Sequence, residues 1–123
     1  MATRAIQLGS SPSELLSALD IAALAGRRVD QLSGGERQRG ALAQCAVQGA
    51  GLMLLDEPVS FQDPAHQQLV GRWLTQSAGD RAWIASAHDP SWIARVATHV
   101  LALSGDSRWQ AGPVAEILRE DVL

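Results

Sequence analysis

Two clusters of residues in this chain have the types and spacing to handle a phosphoryl group. The first is Leu32-Ser33-Gly34-Gly35-Glu36-Arg37-Gln38. Ser33 and Glu36 stand at the S-x-x-E spacing of a capping box, which predicts a helix opening at Ser33. A helix tip presents N–H groups without intrahelical partners and a partial positive charge. Two glycines there let an anion reach the backbone with no Cβ in the way, and the Ser33 hydroxyl can add a hydrogen bond. The second cluster is Leu52-Met53-Leu54-Leu55-Asp56-Glu57-Pro58. Its apolar run reads as a strand buried on both faces, as in a parallel sheet. Acids at the C-terminal end of such a strand lie where α/β folds bind ligands. Asp56 is placed to hold Mg²⁺ through water, and Glu57 to polarise an attacking water as general base.

Each cluster taken singly has an ordinary explanation: a capped helix after a tight turn, and a strand leaving its sheet through acids and a proline. The longer string L-S-G-G-E-R-Q-R is more specific than S-G-G-E alone. A third candidate is His88, after a second apolar run at Ala82–Ala87. An imidazole at a strand end can hydrogen-bond a phosphate, although a lone histidine there is more often structural. His66 is assigned to a helix surface and His99 to a strand edge. The three histidines lack metal-ligand spacing, which speaks against zinc.

The elements that must position these residues can be read in outline. Ser11-Pro12-Ser13-Glu14 starts a helix whose loose apolar pattern, from Leu15 through Leu24, extends to Gly26. Arg27–Gln31 is a polar connector. The helix from Ser33 carries Ala41, Leu42, Cys45 and Ala46 on one side, puts Arg37 and Arg39 on the solvated side, and ends at Gly49-Ala50-Gly51. Gly40 inside it costs about 1 kcal/mol relative to alanine. Asp63-Pro64 caps and starts a further helix whose inner face is Leu69, Val70, Trp73 and Leu74. After a turn at Gly79-Asp80 and the strand at 82–87 comes a short helix with Trp92, Ile93 and Val96 inward. Val100–Leu103 and Arg108–Gln110 form a hairpin about Gly105-Asp106. Val114–Glu120 reads as a helix, and residues 1–10 as irregular. All four tryptophans, Trp73, Trp83, Trp92 and Trp109, are assigned to core packing. The alternation of strand and helix is that of the α/β class.

Composition narrows the function classes. At 123 residues the chain suffices for one compact domain, and 46% apolar residues exclude a disordered segment. The net charge is −3 and basic residues are scattered, which argues against a nucleic-acid surface. All ten basic residues are arginine, so a P-loop lysine is not among the residues of this chain. The single cysteine, Cys45, forms no internal disulfide and fits a reducing compartment. No apolar run reaches the ~18–20 residues of a membrane span, and no signal-peptide pattern is present. A soluble, cytoplasmic chain is expected.

The order of pieces resembles the C-terminal half of an ABC transporter ATP-binding subunit. Leu32–Gln38 looks like the signature, Leu52–Glu57 like Walker B, Ser60-Phe61-Gln62-Asp63 like the D-loop, and His88-Asp89 like the H-switch. Trp109-Gln110-Ala111-Gly112-Pro113 with Glu116-Ile117-Leu118 looks like the family's later strand and helix. The look is nearest to importers of iron-siderophore complexes or vitamin B12. The resemblance implies an α/β fold that is a partial P-loop NTPase ABC domain: part of the helical subdomain plus the Walker B half of the parallel sheet, with the Walker A half absent. Residues 1–123 then form one partial domain, with the signature region at about 11–50 and the Walker B, D-loop and H-switch region at 51–123.

The same resemblance implies ATP and Mg²⁺ as cofactors. Glu57 and His88 become catalytic, Asp56 the metal residue, and Ser33, Gly34, Gly35, Glu36, Gln38 and Asp63 nucleotide-binding. The expected partners are a second ABC ATPase subunit, head to tail, and a transmembrane permease, with no nucleic acid. The expected location is the inner face of the membrane, held only through the permease. Phe61 and Gln62 depart from the usual D-loop S-A-L-D, and Gln44 stands where many members have arginine. Two functions are carried forward: an incomplete importer ATPase not expected to hydrolyse ATP alone, and a non-catalytic, half-size protein docking on a full ABC subunit. An ABC-type ATPase of DNA repair or translation is disfavoured by the missing basic face and the compact motif spacing. Uncovered apolar strand edges are expected to make the lone polypeptide poorly stable or prone to aggregate.

Overall fold

The computed structural model describes residues 11–77 and 81–119. The irregular start and the turn at Gly79-Asp80 lie outside them, whereas the last helix, expected over Val114–Glu120, ends already at Ile117. The chain divides into two compact units between Ala87 and His88.

The first unit begins with α1, Pro12–Ala18, capped by Ser11, whose hydroxyl accepts from the Glu14 N–H. The helix does not continue to Gly26. Asp20 takes a left-handed φ of 57°, which ends it, and a 3₁₀ turn at Ala22–Leu24 follows. The connector contains a second 3₁₀ turn at Val29–Gln31. Helix α2 then spans Gly34–Val47, with Ser33 as its cap, and is followed by Gly49 at φ 68°.

Strand β1 is Leu52–Asp56, α3 is Pro64–Ser77 and β2 is Ala82–Ser86. The two strands pair in parallel, in a register that puts Leu54 opposite Ile84 and Asp56 opposite Ser86. A helix between paired parallel strands is the crossover expected of the α/β class. The core gathers Leu15, Leu19 and Ile21 with Leu42, Ala43 and Ala46 of α2, Met53 of β1, Val59, and Val70, Trp73 and Leu74 of α3. Leu69 is only half-buried.

Two expectations need correction here. Arg39 is not on the solvated side of α2: it is buried, 6% exposed, and donates from Nε to the Leu19 carbonyl at 2.9 Å. Helix α2 has α1 against it, so a long side chain can reach a free carbonyl there while its stem packs. β1 is not buried on both faces. Met53 is covered, whereas Leu52 and Leu54 are 50% and 71% exposed and Ile84 on β2 is 63% exposed. Arg81, which no motif singles out, is also buried and donates to the Ala46 carbonyl at 3.4 Å.

The second unit holds α4, Pro90–Val96, an antiparallel pair β3, His99–Leu103, and β4, Trp109–Pro113, and a short α5, Val114–Ile117. The hairpin is as expected, but its connection is longer than two residues: Leu103 pairs with Trp109, and Ser107 supplies the left-handed residue at φ 69°. Trp92 is buried as expected; Trp109 is 67% exposed and is not a core residue.

Candidate functional site

The tip of α2 is built as the capping box requires. The Glu36 N–H donates to Ser33 Oγ at 3.1 Å, and the Ser33 N–H donates to Glu36 Oε1 at 2.8 Å. Those bonds favour the ionised carboxyl of Glu36 and hold it below the usual glutamate range, chiefly through the Ser33 backbone N–H. Gly34 is exposed. Ser33 Oγ accepts the Glu36 N–H, and its hydroxyl is also shared with the Glu36 carboxylate.

The two glycines differ in what they do. A Cβ at Gly35 would come within 2.9 Å of the Phe61 carbonyl oxygen, so this position is glycine because the loop after β1 packs on it. At Gly34 the nearest atoms to an added Cβ are Phe61 ring carbons at 3.6 Å, an ordinary contact. Phe61 itself is 71% exposed and stands beside the tip.

The acids follow directly from β1. Asp56 is exposed at the strand end, and its Oδ1 accepts from the Ser86 hydroxyl at 2.6 Å. Glu57 adopts a left-handed φ of 49°, rare for a residue with a side chain. Its N–H donates to both the carbonyl and the hydroxyl of Ser86, at 3.1 Å and 3.0 Å. A backbone outlier at a carboxylate turn is the kind of local strain that clusters at functional sites.

Side-chain amides join the tip to this turn. Gln38 Nε2 donates to the Glu57 carbonyl at 2.9 Å and to Ser60 Oγ at 3.2 Å, and Gln38 Oε1 accepts from the Phe61 N–H. Gln62 is buried, with Nε2 donating to the Gly35 carbonyl at 3.0 Å and to Gln38 Oε1 at 2.9 Å. Arg39 closes the network by donating from Nη1 to Gln62 Oε1 at 2.6 Å. The amide of Gln38 is thus turned inward onto the loop. Sequence patterning could not place Gln62 or Arg39 in this network, because neither obeys an apolar period.

Asp63 caps α3 through the His66 N–H at 2.8 Å, and His66 also bridges to Asp20 at 3.0 Å. The side-chain hydrogen bond to Asp20, then that to Asp63, raises the His66 pKa above the ordinary histidine value. The His66 backbone N–H in turn holds Asp63 below the usual aspartate range. Asp63 and His66 therefore serve a clip between α3 and the end of α1. His88 opens the second unit, exposed and next to Asp89, which caps α4 through the Ser91 N–H at 2.9 Å.

The sequence model described as "ABC transporter" matches residues 6–60. The hemin import ATP-binding protein HmuV of Streptomyces coelicolor is 37% identical over 98% of this chain, which spans 43% of that relative. The nickel import ATP-binding protein NikO of Rhodobacter capsulatus is 38% identical over 81% of this chain and 41% of its own length. A solved transporter assigned to the metal-chelate ABC type, in an inward-facing conformation, superposes with a TM-score of 0.78 at 27% identity, covering 90% of this chain and 45% of the solved one. The chain has the fold of a partial ABC ATP-binding domain. It spans less than half the length of these relatives. The resemblance to the C-terminal half of an ABC ATP-binding subunit of importer type stands, and hemin import falls near the iron-siderophore class read from the sequence.

Proposed function

We propose that this chain supplies the signature, Walker B and D-loop parts of the ATP-hydrolysing subunit of an ABC-type importer. One observation carries the reading: Gln38 ties the helix tip at Ser33–Gly35 to the Glu57 carbonyl, so the anion-binding and water-activating groups belong to one unit. The tip would meet the terminal phosphate of a nucleotide held by a second subunit, head to tail. Backbone N–H groups of Gly34 and Gly35 and the Ser33 hydroxyl are the donors, and Glu36 keeps the cap intact. Glu57 orients and deprotonates the attacking water. Asp63 secures the loop beside it, and His88 contributes a phosphate contact.

Mg²⁺ fits beside Asp56, which would hold it through water. The carboxylate is exposed, and only its Oδ1 is engaged by Ser86. The described residues hold no group of three or more His, Cys, Asp or Glu able to bind a metal by themselves. Phosphate and water oxygens must then form the shell, and the ion would neutralise charge on the transferring phosphoryl group. The nucleotide's P-loop lysine must come from outside these residues, since the chain has none.

The names of the relatives favour a metal-chelate or heme cargo, read by a permease rather than by this chain. The permease would also bring the subunit to the inner face of the membrane; no helix among the described residues is long and apolar enough to cross one. The lack of lysine favours a second reading, a non-catalytic protein that docks on a full ABC subunit. The test joins this chain to the P-loop half of the Streptomyces relative and compares Glu57→Gln with the parent. Turnover should fall about 10²–10⁴-fold while ATP binding is kept. Unchanged turnover overturns the catalytic reading, and a parent that binds ATP without hydrolysing it favours the docking one.

A further inference from the structure

Ser86 was not singled out by any motif, yet its one hydroxyl meets the Asp56 carboxylate and the Glu57 backbone N–H. β1 and β2 are paired so that Ser86 lies opposite Asp56, and the two side chains share a face of the sheet. A serine hydroxyl has one proton to give and two lone pairs to accept with. The proton goes to Asp56 Oδ1 at 2.6 Å, and a lone pair takes the Glu57 N–H at 3.0 Å. The Ser86 carbonyl takes the same N–H at 3.1 Å.

We propose that Ser86 is a positioning residue for the acid pair, fixing the Asp56 carboxylate so that Oδ2 faces outward and locking the Glu57 backbone in its left-handed turn. The proposal deepens the reading of Asp56 and Glu57 given above and rests on it. Two consequences follow from the geometry. A carboxylate held at one oxygen cannot rotate freely, so its other oxygen stays presented to a hydrated cation. For a residue with a Cβ, φ near 50° is disfavoured and is held more firmly by fixed partners, and Ser86 supplies two to the Glu57 amide. Losing the hydroxyl removes one of those partners and the hydrogen bond that holds Asp56 Oδ1 at once.

Three substitutions separate positioning from strand structure. Ser86→Ala and Ser86→Val lack the hydroxyl, and valine is a good strand former; Ser86→Thr keeps the hydroxyl. Hydrogen exchange at the Glu57 amide, followed in the full chain at micromolar concentration, should speed up at least tenfold in the alanine and valine variants. Exchange at Leu54 and Ile84 should stay within twofold, and threonine should restore the parent rate. In the protein joined to a P-loop half, the Mg²⁺ concentration for half-maximal ATPase should rise at least fivefold for alanine and valine, with KM for ATP within twofold and threonine rescuing. Unchanged Glu57 exchange in both hydroxyl-less variants overturns the proposal, and so does an unchanged Mg²⁺ requirement in an active protein. If the parent shows no hydrolysis, that counts against the proposed function, and the exchange result alone decides the role of Ser86.

Discussion

Gly34 and Gly35 are neighbours in the same motif, but they answer to different constraints. Gly35 is pressed by the Phe61 carbonyl, whereas Gly34 meets only a movable ring. Gly35→Ala should therefore cost about 1–3 kcal/mol of stability in a urea melt, and Gly34→Ala clearly less. The reverse order is expected for phosphate affinity, because Gly34 is the exposed one. Equal melts for the two variants would show that the loop does not constrain Gly35. His66 gives a second prediction at this scale. Its folded pKa is raised above 6.5, so its stabilisation is fully present below about pH 6.5 and is lost as pH rises through the raised value. Glu36 and Asp63 are depressed below 4.5 and 3.8, so theirs is present above those values and lost as pH falls through the folded ones. The unfolding midpoint should peak between the two limbs. His66→Gln should remove the alkaline limb and shrink the acid limb only in part, because the His66 backbone N–H on Asp63 stays; an unchanged alkaline limb would rule out the clip as its source.

At the scale of elements, the sequence reveals what is written in local code. The cap at Ser33, the start at Asp63-Pro64 and the parallel pairing of two apolar strands all follow from spacing of a few residues. What is not legible is decided by tertiary neighbours. Arg39 looks like a surface charge until α1 provides a carbonyl and the loop after β1 provides Gln62. The end of α1 at Asp20, ahead of Gly26, is also invisible to periodicity, since Ile21 and Leu24 continue the pattern. The site splits the same way: the cap and the acids are in motifs, while Ser86 and Gln62 are found only by register and loop packing. Gln62→Leu should leave Arg39 and the Gly35 carbonyl without their buried partner, costing about 1–3 kcal/mol. Arg39→Met combined with it should be less than additive in a double-mutant cycle. Strict additivity would mean that the network does not act as a unit.

The whole molecule presents an apolar sheet face formed by Leu52, Leu54 and Ile84, with Asp56 and Ser86 at the end of the same face. Exposed apolar strands are templates for association. The chain by itself should self-associate with rising concentration, and Leu54→Lys with Ile84→Glu should shift it toward monomer in sedimentation. A parent chain that stays monomeric would show that this face is harmless as it stands. The central claim is a division of labour: these residues cradle a terminal phosphate and activate water, and the rest of the nucleotide is held elsewhere. Calorimetric titration with Mg-ATP tests it most directly, run on the chain alone and on the chain joined to a lysine-bearing P-loop half. Saturable binding should appear only in the joined protein. Tight binding of Mg-ATP by the chain alone would contradict the account.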